Sequence, residues 1–225
     1  MTQPRFSYVL FDCDGTLLNT IGDLACAGNL VCEAHGWPTH DIDLFKRMVG
    51  DGQRVLVRRF VPEDVAADPD ALEAAYQEFV ELYSAHKEDT TGPYEGIVAC
   101  VERLRAAGVH VGVLTNKNHE QAIPLVEKFF PGLFDAVQGR LDTLPAKPAA
   151  PMTRALMEAL GADPESTLMV GEFLPGPFRP GAGQARHAAR QTRRSHDACA
   201  HGSVGGRPRV DPHGGGHVGR HCVRH

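Results

Sequence analysis

The sequence predicts an α/β protein with a parallel, Rossmann-like sheet and an inserted α-helical domain. An apolar run at residues 8–11 ends abruptly in a polar turn, as a buried strand does. Residues 17–92 then show only the apolar spacing of helices. From about residue 97 onward, helical and strand patterns alternate, which is typical of a parallel sheet with helices on both faces.

The first strand is expected at residues 8–11, where aromatic and β-branched residues precede the turn Asp12-Cys13-Asp14-Gly15-Thr16. Apolar spacing predicts helices over residues 25–34, 44–60 and 71–83. Breaks are expected at Gly36-Trp37-Pro38 and around Pro62 and Pro69. We therefore assign residues 17–92 to a small helical domain and residues 1–16 and 93–171 to the core domain.

The second part of the chain supplies the rest of the core. Helices are expected over residues 98–107, 119–130 and 151–160, and strands over residues 109–114, 134–137 and 167–170. Ligands of parallel sheets bind outside the carboxyl ends of the strands. The polar residues and the glycine predicted at those ends are Asp12, Asp14, Thr115, Asn116, Gly171 and Glu172.

Composition narrows the class of protein. Apolar residues make up 42% of the 225 residues, which is normal for a globular chain. The longest apolar runs fall far short of the ~20 residues of a membrane span, and the N-terminus lacks the apolar stretch of a secretion signal. The six cysteines form no CxxC pair and no disulfide-framework spacing. We expect no membrane partner and a cytoplasmic location.

The last quarter of the chain has a different character. Residues 1–171 carry 14 Lys and Arg against 25 Asp and Glu, whereas residues 172–225 carry 9 Arg and no Lys against 3 acids. Seven of the twelve histidines lie in this second segment, and its apolar periodicity stops. We expect residues 172–225 to form an atypical Gly/Arg/His-rich tail, disordered or read out of frame. No aromatic interleaving accompanies the arginines, so no nucleic-acid partner is expected.

Asp12 and Asp14 carry the first chemical signal. Two carboxylates two residues apart, just past a strand, can both point into one small site. Their mutual repulsion separates their pKa values unless a cation neutralises them, and Mg²⁺ prefers such hard oxygen ligands. One carboxylate can then attack phosphorus as a nucleophile, while the other protonates the leaving alcohol and later activates water.

Two further signals follow in the chain. Thr115 and Asn116 stand at a strand end facing a helix start, where a hydroxyl and backbone N–H groups suit a phosphate oxygen. Asn116 is also placed to cap the helix that follows. Lys147 is the last lysine of the chain, and an ammonium near phosphate stabilises the charge that develops in phosphoryl transfer.

In order and spacing, residues 7–171 resemble the haloacid dehalogenase superfamily, in the branch with a helical cap after the first strand. The opening D-G-T-L-L-N-T and the T-N-K stretch are most similar to phosphoglycolate phosphatases. The resemblance implies that Asp12 is the nucleophile and Asp14 the acid and base, and that Thr115, Asn116 and Lys147 bind the phosphoryl group. It also implies a Mg²⁺ ion on Asp12, Asp14 (through its backbone) and Glu172, and cap residues that choose the substrate.

The expected acidic loop, G-D-S-x-x-D, is replaced here by Gly171-Glu172-Phe173-Leu174-Pro175-Gly176. No carboxylate stands at residue 176. We hypothesise that the reading frame slips at codon 172, because dropping the third base of that codon permits Asp-Ser-x-Pro-Asp. Sequencing the gene across codon 172 decides this.

The function expected from these residues is Mg²⁺-dependent hydrolysis of a small phosphate monoester, with phosphoglycolate favoured, through an aspartyl-phosphate. One alternative is a sugar phosphomutase of the same superfamily, and another is a catalytically impaired, non-enzymatic product of the broken acidic loop. A haloalkanoate dehalogenase is disfavoured, because halide release does not need the acid that Asp14 supplies. The expected partner is a small phosphate ester, and the chain is expected to be a monomer or homodimer.

Overall fold

The computed structural model describes residues 4–171, so the predicted tail at residues 172–225 lies outside the described residues. In chain order the elements are β1 (Tyr8–Phe11), β2 (Leu18–Asn19), α1 (Ile21–His35), α2 (Ile42–Met48), α3 (Gln53–Phe60), α4 (Glu63–Ala67), α5 (Pro69–His86), β3 (Gly92–Pro93), α6 (Ile97–Ala106), β4 (His110–Asn118), α7 (His119–Phe129), β5 (Ala136–Arg140), α8 (Ala150–Leu160) and β6 (Thr167–Val170). None of these helices is both long and apolar enough to cross a bilayer.

Four strands form the central sheet in the order β5-β4-β1-β6. All the pairings in this sheet are parallel, which confirms the predicted α/β class. Val9 and Phe11 of β1 pack in one apolar cluster with residues of α6 and α7, whereas Leu10 packs on the opposite face with Met152 and Leu156 of α8. Because side chains alternate along a strand, β1 is covered by helices on both faces.

Helices α1–α5 share a separate apolar cluster, drawn from residues 24–83. At its centre the rings of Phe45, Phe60, Phe79 and Tyr83 follow one another with centroid distances of 5.8–5.9 Å. These rings are buried, and aromatic pairs at such distances add stabilisation beyond the buried area. The helical character predicted for residues 17–92 is therefore present.

The stretch predicted as one helix over residues 44–60 is two helices, α2 and α3. Between them Gly50 and Gly52 have φ values of 119° and 93°, a region that only glycine enters at little steric cost. The resulting loop, Gly50-Asp51-Gly52, lines a cavity at the carboxyl end of the sheet. The glycine pair thus brings the helical insertion toward the strand ends.

The chain enters and leaves the helical insertion side by side, because β2 pairs with β3 in antiparallel fashion. Asp23, in the first turn of α1, is 1% exposed. Its carboxylate accepts hydrogen bonds from the backbone N–H groups of Thr90 and Thr91, at 2.9 Å each, and from the Thr90 hydroxyl. A single carboxylate therefore ties the start of the insertion to its end.

We expect Asp23→Ala to lower the free energy of unfolding by several kcal/mol, because each buried donor left without a partner costs about 1–3 kcal/mol. Urea unfolding followed by circular dichroism measures this loss. Asp64→Ala, which removes an exposed carboxylate, is the matched control and should leave the unfolding midpoint nearly unchanged. Equal midpoints for the two variants would contradict the role of Asp23 as a tie.

Candidate active site

A cavity of about 580 Å³ lies between the carboxyl ends of the strands and the helical insertion. The structure brings five of the sequence-predicted site residues to its wall, namely Asp12, Asp14, Thr115, Asn116 and Lys147. The sixth, Glu172, lies outside the described residues. The insertion contributes apolar side chains to the opposite wall, including Leu24 and Leu56.

Asp12 follows β1 directly and is fixed at three points. Its backbone N–H donates to the Val170 carbonyl at 2.8 Å, its Oδ1 accepts from the Cys13 N–H at 2.7 Å, and its Oδ2 lies 2.8 Å from Nζ of Lys147. Burial raises the pKa of the Asp12 carboxyl, and the Lys147 ammonium opposes that rise. A carboxylate held this way has little freedom to rotate.

Cys13, between the two aspartates, is fully buried. Burial raises the pKa of its thiol well above the ordinary value. Because the thiolate is the nucleophilic form of cysteine, this residue stays inert near neutral pH. The residues of the turn that line the cavity with ionisable side chains are the aspartates on either side of it.

Asp14 is held by two donors on one oxygen. Its Oδ1 accepts from the Thr20 hydroxyl at 2.8 Å and from Nζ of Lys117 at 3.1 Å. Burial opposes the charged form of Lys117, but the neighbouring Asp14 and Tyr83 outweigh it and raise the pKa of Lys117. The second carboxylate of the motif is thus paired with its own buried cation.

Sequence reasoning missed Lys117, although it stands next to two predicted residues. Its side chain is 1% exposed, and its Nζ also donates to the hydroxyl of Tyr83 at 2.6 Å. The available signal was a lysine three residues beyond the apolar strand predicted at residues 109–114, because a buried ammonium needs a carboxylate nearby.

Thr115 and Asn116 have different surroundings. Thr115 is 1% exposed, and its Oγ1 accepts from the Lys117 N–H at 3.2 Å. The Asn116 amide accepts from the Lys147 N–H at 2.7 Å and donates to the carbonyls of Lys147 and Gly50. The capping alternative for Asn116 is wrong, because β4 continues to Asn118, whose side chain caps α7 through the Glu120 N–H.

Lys147 lies in the loop between β5 and α8, and both its backbone and its side chain are bound. Asn116 holds the backbone N–H and carbonyl of Lys147, and its Nζ donates to the Leu114 carbonyl at 2.9 Å. These contacts aim the ammonium at Asp12 across the end of the sheet. An anion entering the cavity therefore meets a cation at a fixed position.

Gln53, at the start of α3, is a second residue that sequence reasoning missed. It is 8% exposed and lines the cavity. Its Nε2 donates to Oε1 of Gln121 at 2.7 Å, whereas its own Oε1 has no hydrogen-bond partner in the described part of the chain. A buried polar atom without a partner is costly, and the residue that carries it is a polar member of the cavity wall.

The described residues fit a Mg²⁺ ion in part. Among residues 4–171, no three His, Cys, Asp or Glu side chains are grouped closely enough to hold a metal ion by themselves. Mg²⁺, however, usually keeps several waters and takes one or two carboxylates together with substrate phosphate oxygens. Beside the cavity, Asp12 offers a carboxylate and Asp14 offers its backbone carbonyl as hard oxygen donors.

Residues 9–173 match the family model of the haloacid dehalogenase-like hydrolases. The chain belongs to this family. The match covers both Asp12 and the helical insertion, and it confirms the resemblance drawn from the motifs.

Individual relatives of this hydrolase agree with the family assignment. Phosphoglycolate phosphatase of Chromobacterium violaceum is 38% identical over 178 residues, covering 76% of this chain and 79% of the relative. Phosphoglycolate phosphatase of Thiobacillus denitrificans is 33% identical over 171 residues, covering 74% of each chain. A crystal structure of a predicted phosphoglycolate phosphatase from Haemophilus somnus has a TM-score of 0.69 at 27% identity, covering 76% of this chain and 79% of that one.

We expect Gly171→Ala to destabilise the hydrolase by about 1–3 kcal/mol, the usual cost of overpacking a close contact. A Cβ added at Gly171 would lie 2.7 Å from Cβ of Asp12, so Asp12 or the chain after β6 must shift. Chemical unfolding measures the loss. Gly92→Ala is the control, since a Cβ there meets nothing within 4 Å. A neutral Gly171→Ala would show that Asp12 has more room than this distance indicates.

Proposed function

We propose that the chain is a Mg²⁺-dependent phosphatase that hydrolyses a small phosphate monoester through an aspartyl-phosphate, with 2-phosphoglycolate as the favoured substrate. The observation that carries the proposal is the pair Asp12 and Asp14 beside one cavity, each with its own lysine at 2.8 Å and 3.1 Å. The printed names of the relatives from Chromobacterium violaceum and Thiobacillus denitrificans support the choice of substrate.

In the first half-reaction, the Asp12 carboxylate attacks phosphorus and the ester P–O bond breaks. Asp14, in its carboxylic acid form, donates a proton to the departing alcohol oxygen and becomes the carboxylate that pairs with Lys117. This proton transfer contributes roughly 10²- to 10⁴-fold. In the second half-reaction, Asp14 takes a proton from water, the water oxygen attacks phosphorus, and the Asp12–phosphorus bond breaks to release phosphate. Asp12 and Asp14 are then restored to their starting forms.

Lys147 and Thr115 are the proposed phosphoryl ligands, together with Asn116 at the same strand end. The Lys147 ammonium would offset the charge on the phosphoryl oxygens as the transition state forms. The side chain of Asn116 is already hydrogen-bonded to the backbone of Lys147 and Gly50. Asn116 would therefore contribute to phosphate binding through its backbone and by holding Lys147 in place.

The carboxylate of Asp12 and the backbone carbonyl of Asp14 would hold the Mg²⁺ ion, with Glu172 as a further ligand that lies outside the described residues. When bound, Mg²⁺ neutralises charge on the phosphoryl oxygens and orients the phosphate for in-line attack. The described donor atoms suit this ion because they are hard oxygens.

Asp12→Asn should abolish phosphate release from 2-phosphoglycolate, because the neutral amide cannot form the aspartyl-phosphate. The measurement is Mg²⁺-dependent release of inorganic phosphate, with and without a chelator, at saturating substrate. Asp64→Asn, which changes an exposed carboxylate, is the matched control and should keep full activity. Substantial turnover by Asp12→Asn would rule out this nucleophile.

The same assay separates the enzyme from the impaired alternative. A one-base-corrected chain is run beside the native one, since the correction permits Asp at the position of Gly176. If the frame slips at codon 172, the corrected chain has the higher kcat and needs less Mg²⁺. Equal activity of the two chains would show that the sequence after residue 171 does not limit catalysis.

Gln53→Ala should raise KM for 2-phosphoglycolate by about tenfold, which corresponds to the loss of one hydrogen bond of about 1.4 kcal/mol. The reason is that Gln53 is a polar residue of the helical insertion at the cavity wall, where its amide can bond to the substrate. Steady-state kinetics check it. Gln77→Ala, on the exposed face of α5, is the control. An unchanged KM in Gln53→Ala would remove this residue from substrate binding.

A further inference from the structure

Lys117 has the surroundings of a functional group, although no motif assigned it a role. Its ammonium is buried between Asp14 of the core and Tyr83 of α5, and it lies 4.6 Å from the centroid of the Tyr83 ring. A fully buried lysine is costly unless it is paired. The carboxylate that pairs with it is Asp14, the proposed acid and base, rather than a surface residue.

The two oxygens of Asp14 are not equivalent. Oδ1 accepts from both Thr20 and Lys117, at 2.8 Å and 3.1 Å, while the distance from Lys117 Nζ to Oδ2 is 3.4 Å. Because a hydrogen bond weakens steeply as it lengthens and bends, Oδ1 is the anchored atom. Oδ2 is left as the oxygen able to exchange a proton with the alcohol or with water.

Tyr83 extends this contact into the helical insertion. Its side chain is fully buried and stacks on Phe79 at 5.9 Å within the apolar cluster of α1–α5. Burial raises the pKa of Tyr83 to about 12, so its hydroxyl stays protonated and accepts from Lys117 through a lone pair. The position of Lys117 therefore depends on α5 as well as on β4.

We propose that Lys117 is a positioning residue that fixes the Asp14 carboxyl for proton transfer to the leaving group, and that Tyr83 sets the position of Lys117 from the helical insertion. This inference rests on the proposed function, because it takes Asp14 as the acid. It adds a core lysine and an insertion tyrosine to the groups on which leaving-group protonation depends.

The test compares two leaving groups. An alkyl phosphate such as 2-phosphoglycolate needs protonation of its departing oxygen, whereas the aryl ester p-nitrophenyl phosphate leaves as a stabilised phenolate and needs little. Lys117→Met should lower kcat for the alkyl ester by roughly 10²-fold, within the range of general-acid catalysis, and lower kcat for the aryl ester far less. Lys117→Arg should recover part of the loss, since it restores a cation.

Tyr83→Phe supplies a milder perturbation that keeps the buried ring. It should show the same preference for the aryl ester with a smaller loss, and it decides the question if Lys117→Met does not fold. Lys128→Met, at an exposed lysine paired with Glu88, is the matched control and should leave both rates unchanged.

Equal losses on the two esters in Lys117→Met and Tyr83→Phe would overturn the positioning role and leave a purely structural one. Failure of the proposed function has a different signature, because Asp12→Asn would then retain turnover on both esters. A leaving-group-selective loss in Lys117→Met, together with an inactive Asp12→Asn, supports the function and the inference at once.

Discussion

Two carboxylates two residues apart, partly withdrawn from water, require two cations, and the rest of the structure depends on this constraint. Lys147 forms an ion pair with Asp12, and Lys117 forms one with Asp14. The side chains of both lysines are 12% exposed or less. Removing one partner from such a pair leaves an uncompensated buried charge, which is strongly destabilising. The sheet must therefore bring chain segments that are far apart in sequence to the end of one strand.

The parallel order β5-β4-β1-β6 meets that requirement. With β1 at the centre, the carboxyl end of β4 places Lys117 beside the turn after β1. The loop that follows β5 then crosses the same end and delivers Lys147, whose backbone is fixed by Asn116 at the end of β4. In an antiparallel sheet neighbouring strands would end at opposite edges, and these groups would not meet.

Local patterns predicted much of this arrangement. The strand before Asp12, the helical insertion and the alternation after residue 97 follow from apolar periodicity, which the fold preserves because each face is buried. Sequence reasoning missed Lys117, Tyr83 and Gln53, because each makes its contacts between the insertion and the core domain. No local pattern encodes such contacts. Gly50 and Gly52 indicate the break between α2 and α3. The helical spacing of apolar residues on either side of them nevertheless favoured one continuous helix.

Adjacent residues of β4 join the sheet to the insertion in two ways. Asn116 donates to the Gly50 carbonyl and also holds the backbone of Lys147, while Lys117 bonds to Tyr83 and also to Asp14. Each link therefore has one end on the insertion and the other on Asp14 or on Lys147, the ion-pair partner of Asp12. A displacement of the insertion would disturb the partners of Asp12 and Asp14 together, so the position of the insertion and the geometry of the two aspartates are coupled.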